Sequence, residues 1–236
     1  MPSTLEIIIL VILSFLPPLI YAVWIRNTEI CEREPWKAIF ICFLWGASIA
    51  IIAAIILEYV LQISLAVSIN NARIMPLLLV VVIAPIAEEF SKPLALRLKS
   101  VKKEINEFED GLVYGAVAGL GFSATENLLY GWFFLSEGII VFLILIALRS
   151  FSGCLLHASA TALTGYGYGK TIMNHSSFLR IIPYFLLAIF VHSFYNFLVA
   201  FRMTGVIFGM LAAFLFVGFT ITWVRKKIRV LDGQNC

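Results

Sequence analysis

Hydrophobic residues gather into seven stretches along the chain, near 5–25, 37–58, 76–98, 111–132, 138–165, 180–202 and 205–224. Each is close to or above the ~20 residues an α-helix needs to cross the hydrocarbon of a bilayer. The connections between them are short, and no separate soluble domain fits anywhere. The pattern predicts an all-α, polytopic transmembrane helix bundle of about seven spans. It is read as one membrane-embedded domain over 1–236, with a motif-bearing core at about 76–202. The connection 59–75 is longer and is expected to hold a short interfacial helix. The run from Leu5 to Trp24 reads as a retained first helix, because it is too long for a signal-peptide core and lacks a basic segment before it.

Charge gives the bundle a direction. Of the 17 Lys and Arg residues, thirteen lie in loops 26–37, 97–110 and 166–180 and in the tail from Arg225. Arg73 and Arg202 fall on the other side. The positive-inside rule then puts the N-terminus outside and the C-terminus in the cytoplasm. The basic tail Arg225, Lys226, Lys227 and Arg229 fits an anchor against anionic lipid better than a nucleic-acid patch.

Composition removes the soluble alternatives. The chain is 61% hydrophobic and 13% charged, whereas a soluble domain carries roughly 25% charge. The lipid bilayer is its solvent, and a multi-pass protein of the cell membrane is expected. A net charge of +3 does not argue for a nucleic-acid partner. Cys42 and Cys154 lie inside apolar runs, and no cysteine spacing suggests a zinc knuckle or a disulfide framework.

Against this background the ionisable residues inside the apolar runs need a reason, since a charge at mid-membrane costs at least ~2.5–3.5 kcal/mol. The third run carries Glu88, Glu89 and Lys92, with Lys92 one helical turn from both carboxylates. Two adjacent carboxylates disfavour double ionisation, which leaves one ready to take a proton as a general base. Pro85 and Pro93 frame the segment, and neither can donate to the carbonyl four residues back, Val81 and Glu89 respectively. An opened helix at that depth suits a wet cavity. The fourth run has Gly111, Gly115 and Gly119 at every fourth position, a stripe that lets another helix approach. It also carries Glu126 and Asn127, with Phe122 one turn before Glu126. The fifth holds Arg149, His157 and Thr161, and the sixth holds His192 and Asn196.

Glu and His together are the inventory for activating water, as a base pair or through zinc. No His-Glu-x-x-His lies on one helix, so any site must be assembled from several. No Gly-x-Ser-x-Gly and no pair of membrane aspartates offers another protease chemistry. At ~1.5 Å per residue, Glu88, Glu89 and His192 fall near mid-membrane, Glu126 toward the outer side and His157 toward the cytoplasm.

At these residues the chain resembles the PrsW family of intramembrane proteases. The resemblance rests on Glu88-Glu89-Phe-Ser-Lys92, on Asp110-Gly111 through Phe122-Ser-Ala-Thr-Glu126-Asn127, on His157-Ala-Ser-Ala-Thr161 and on His192-Ser-Phe-Tyr-Asn196. The family is distantly similar to type II CAAX prenyl proteases, from which this chain departs by placing Glu126 where they have histidine. The resemblance implies hydrolysis of membrane-associated peptides, with an anti-sigma-factor-like substrate as the family analogy. Glu88 or Glu89 would polarise water, with the other carboxylate or Lys92 tuning it. His192 and Glu126 would hold the water, a metal or the oxyanion, and Asn196 would donate to the oxyanion. His157, Asn127 and Arg149 are second-rank members. A Zn²⁺ ion on Glu126, His157 and His192 and a metal-free Glu–His pair are both left open. The rivals are a transporter or proton relay using the same buried groups, and a helix-binding scaffold using the glycine stripe.

Overall fold

A computed structural model describes residues 2–66, 74–200 and 206–234, and the described residues form helices and turns. Helix α1 spans Thr4–Arg26 and opens on a capping box, in which Ser3 and Glu6 each bond the other's backbone N–H. Helix α2 runs as Trp36–Trp45, a π turn at Gly46–Ala50, and Ile51–Ala66. Helix α3 is built from Met75–Leu78, a π turn at Leu79–Ile83, Ala84–Ser91 and a 3₁₀ segment at Lys92–Arg97. Helix α4 is Asp110–Leu135. Helix α5 joins Ile139–Leu148, a π turn at Arg149–Gly153, and Cys154–Met173. Helix α6 is Ile182–Ala200, entered through a 3₁₀ turn at Phe178–Ile181, and α7 is Val206–Asp232. The expected interfacial helix in 59–75 is replaced up to Ala66 by a continuation of α2. Residues 67–73, with Arg73, and 201–205, with Arg202, lie outside the described residues.

Five of these helices are long and apolar enough to cross a membrane: α1, α2, α5, α6 with its entry turn, and α7. Helix α3 is interrupted. Helix α4 is less apolar because it faces other helices rather than lipid: every residue from Glu109 to Ala124 is buried. The outer helices instead turn Leu, Ile and Phe outward, as at Ile20, Phe40, Ile140 and Leu215.

Glycines set how closely the helices approach α4. A Cβ on Gly111, Gly115 or Gly119 would run into the backbone of Gly165, Thr161 or His157 on α5. On the opposite face a Cβ on Gly121 would strike Phe43, and one on Gly46 would strike Ala118. Helix α4 is thus clamped between α2 and α5 at backbone contact, the small-residue packing expected of its glycine stripe.

The proline-framed helix opens one residue earlier than expected. Ala84 N–H donates to Leu79 O, five residues back, in the π register. The next donor in that register would be residue 85, which is proline. The carbonyl of Val80 thus loses its π-register donor, and Asn196 Nδ2 on α6 satisfies it at 2.8 Å. Cys42 and Cys154 are buried free thiols, while Cys31 is disulfide-bonded, which no spacing in the sequence announced.

Candidate active site

Four helices bring their polar residues to one locus. Lys92 Nζ, fully enclosed, contacts Glu88 Oε2 at 2.7 Å, Glu89 Oε1 at 2.9 Å and His157 Nδ1 at 2.8 Å. These three acceptors use all three of its protons. Its ammonium also lies 4.3 Å above the ring of Phe122. Glu89, fully enclosed as well, accepts from Thr161 Oγ1 at 2.9 Å and holds His192 Nδ1 at 2.9 Å from its Oε1. His157 Nε2 lies 2.7 Å from Glu126 Oε2. The two imidazoles stand edge to face, their centroids 5.0 Å apart.

Each histidine therefore has a carboxylate against its outer nitrogen and turns its inner nitrogen toward Glu88. His157 Nδ1 is 3.7 Å and His192 Nε2 is 3.9 Å from Glu88 Oε2. Contact with Glu89 orients the His192 ring; with the proton on Nδ1, Nε2 is free to accept.

Glu126 is also paired with Arg149, whose Nη2 lies 2.9 Å from Glu126 Oε2; neither this contact nor that of His157 Nε2 to the same oxygen has hydrogen-bond alignment. Arg149 Nε donates to Asn127 Oδ1 at 2.9 Å, and the guanidinium stacks 4.1 Å over Tyr130. A cavity of about 350 Å³ opens beside these groups. Glu88, Glu126, Arg149, His157, His192 and Asn196 line it among apolar residues. Glu89 and Lys92 do not reach it.

Every sequence-predicted residue thus falls at or beside the locus. His157, placed toward the cytoplasm by the crude depth estimate, is central. The estimate ended its helix at 165, whereas α5 is one apolar helix of 35 residues from Ile139 to Met173, and His157 sits near its middle. Asn196 lines the cavity but has one amide proton committed to Val80. Sequence reasoning missed Tyr195, whose hydroxyl is 2.7 Å from Ser152 Oγ, and Tyr130. The available signal was spacing: Tyr195 is one turn from His192, and Tyr130 one turn from Glu126. It also missed Glu58 on α2, which lies within electrostatic reach of Glu88, Glu126 and Lys92 and whose position at the end of an apolar run looked ordinary.

A metal can be tested against this donor set. Glu88, His157 and His192 each place one ligand atom within 4.8 Å of the others. Tetrahedral zinc ligands sit ~3.4 Å apart, so the 3.7 and 3.9 Å separations need only a small contraction. Carboxylates behind both imidazoles are the usual outer support of a metal-bound histidine. The residues fit, with Glu88 rather than Glu126 completing the group. Lys92 Nζ competes for the same atoms and acts as the cation of the locus in this structure.

Comparison with known proteins agrees with the geometry. The profile of a family described as PrsW family intramembrane metalloprotease matches residues 34–223. The Protease PrsW of Clostridioides difficile (strain 630) is 29% identical over 122 residues, 51% of this chain and 50% of that protein. The match thus spans half the length of that relative. No solved structure matches. With a match running from the loop before α2 to the middle of α7 and enclosing all of the converging residues, the chain belongs to the PrsW family of intramembrane metalloproteases.

Proposed function

We propose that this protein is an intramembrane peptidase that uses a water held at Glu88 to hydrolyse peptide bonds of membrane-associated substrates. The observation that carries the reading is the convergence of Glu88, His157 and His192 beside a cavity, with both histidines braced by carboxylates. Glu88 is the base because it lines this cavity beside both histidines, whereas Glu89 does not reach it and has no exposed surface. A water between Glu88 Oε2 and His192 Nε2 gives up its proton to Glu88 as it attacks the carbonyl carbon. Glu88 then returns that proton to the leaving amine. Glu89 holds His192, and Lys92 fixes the spacing of the two carboxylates. Arg149 lines the cavity and carries the guanidinium nearest to it, so it is the cationic group placed to stabilise the developing oxyanion, by turning a donor from Glu126. Where a divalent metal such as Zn²⁺ is bound, Glu88, His157 and His192 would hold it, and it would supply Lewis acidity and a more acidic water.

The substrate is proposed to be a membrane-anchored protein segment, of the anti-sigma-factor kind in the family analogy. The chain is proposed to cross the cell membrane seven times, α3 and α4 adding two crossings to the five apolar helices. The concentration of Lys and Arg in alternate loops supports an outer N-terminus and a cytoplasmic C-terminus. Family membership lends no support to a transporter. The test is cleavage of a panel of single-span reporter proteins by the purified chain in liposomes, read by mass spectrometry. Cut reporters with the wild type and none with Glu88→Gln support the reading. Equal cutting by both refutes it.

A further inference from the structure

A second group of carboxylates lies away from the peptidase locus, where the loop 27–35 between α1 and α2 meets the start of α4. Glu29 is fully enclosed, Glu34 is 4% exposed and Asp110 is 1% exposed. One carboxylate oxygen from each lies within 4.8 Å of the other two. Burying three carboxylates together is costly unless positive charge or protons answer them. The cations nearby do not. Arg26 Nε donates to the backbone carbonyl of Glu34 and Arg33 Nε to that of Glu29, and among the described residues no Lys or Arg pairs with these three side chains.

Glu34 and Asp110 share a side-chain hydrogen bond, so a proton between these two carboxyls answers part of the charge. Glu34 Oε2 accepts from the hydroxyl of Tyr114. Asp110 Oδ2 accepts from the backbone N–H of Asn106 and of Glu107, both at 2.7 Å. Glu29 Oε2 accepts from Glu34 N–H at 3.2 Å. Glu29 Oε1 is buried and accepts from no donor among the described residues. An enclosed carboxylate oxygen with no donor, beside two other buried carboxylates, is an acceptor waiting for a cation.

We propose that Glu29, Glu34 and Asp110 bind a hard divalent cation, calcium or magnesium by their chemistry. The donor set is all oxygen, which selects those ions over zinc or copper. Two oxygens on one calcium lie at most ~5 Å apart, twice a bond of 2.3–2.6 Å, and this group meets that limit. The ion would join the exit of α1, the entry of α2 and the first turn of α4. Backbone N–H groups of Ile30 and Cys31 already tie the same loop to Asp232 at the end of α7. The competing resolution is protonation: burial and neighbouring carboxylates hold Glu34 up at about 10 and Glu29 at about 8.

The site is tested on the full chain in detergent after metal stripping, with Tb³⁺ and Ca²⁺ as probes. Tb³⁺ luminescence excited through tyrosine should appear, Tyr114 being bonded to a ligand, and Ca²⁺ should quench it by displacement. Ca²⁺ or Mg²⁺ should also raise the thermal unfolding midpoint over the chelated protein, as any ligand of the folded state does. Glu29→Gln should weaken Tb³⁺ binding at least about tenfold. Its amide oxygen can keep the bond from Glu34 N–H, so the variant should fold. Glu88→Gln should leave the signal intact, which separates this site from the peptidase locus. The proposal is overturned if the stripped wild type gives no Tb³⁺ signal and no shift with Ca²⁺ or Mg²⁺. It is equally overturned if the signal survives Glu29→Gln or disappears in Glu88→Gln.

Discussion

Asn196 Nδ2 donates to Val80 O at 2.8 Å, the carbonyl that Pro85 leaves without a partner in the π register of α3. A side chain of α6 thereby closes the broken helix that carries Glu88 and Glu89. Losing the bond leaves a helix carbonyl unpaired at the cavity wall. Asn196→Ala should therefore lower stability by about 0.5–1.5 kcal/mol. Pro85→Ala restores an N–H to the helix, so the double variant Pro85→Ala/Asn196→Ala should recover most of that loss. Denaturation of the four proteins in one detergent measures it. Strictly additive effects would show that the two residues do not share this bond.

The second prediction concerns the converging side chains. Glu88→Gln, Glu89→Gln, His157→Ala and His192→Ala should each reduce peptide cleavage by about 10²–10⁴-fold, the span of a lost acid–base group. Lys92→Met should differ from these in kind. The sequence alone suggests a mild effect, with water replacing a tuning charge in a wet cavity. Lys92 is instead fully enclosed between two carboxylates. Removing it should cost about 3–5 kcal/mol, as for any broken buried pair. A Lys92→Met protein with unchanged unfolding midpoint would contradict this account.

Much of the site was legible because an ionisable group inside an apolar run has few ordinary explanations. Glu88, Glu89, Lys92, Glu126, His157 and His192 all stood out for that reason. The loop carboxylates Glu29 and Glu34 did not, since acidic residues between helices normally face water, and nothing in the chain announces that both are enclosed. The role of Asn196 was hidden because the π register at Leu79–Ile83 leaves the carbonyl of Val80 without its donor, and no residue type encodes that register. Five apolar helices were plain from their composition. Helix α4 reads as weakly apolar because its glycines and polar residues face neighbouring helices.

Close packing supplies the third prediction. A Cβ on Gly119 would meet the carbonyl of His157 and lie 3.0 Å from Thr161 Oγ1, the hydroxyl that bonds Glu89. Gly119→Ala should push α5 away from α4, cost about 1–3 kcal/mol and depress cleavage. Gly218→Ala, which meets nothing within 4 Å, should do neither. Parallel unfolding curves and cleavage rates compare the two.

The fourth prediction is orientation. Reporter domains fused after residues 66 and 105 should report opposite faces of the membrane, with 105 on the cytoplasmic side. The Lys and Arg distribution argues for this arrangement. Reporters on the same face would contradict the seven-span topology, and exchanged faces would reverse its direction.

The account rests on water attacking a peptide bond beside Glu88, and isotope labelling reads that step. An intact single-span reporter is incubated with the purified protein in ¹⁸O-water, and the N-terminal fragment, which carries the new carboxylate, is analysed by mass spectrometry. The account predicts one ¹⁸O atom in its new carboxylate with the wild type and no fragment with Glu88→Gln. A wild type that yields no fragment from any membrane-anchored reporter, or a Glu88→Gln protein that yields the same labelled fragment at the same rate, would contradict it.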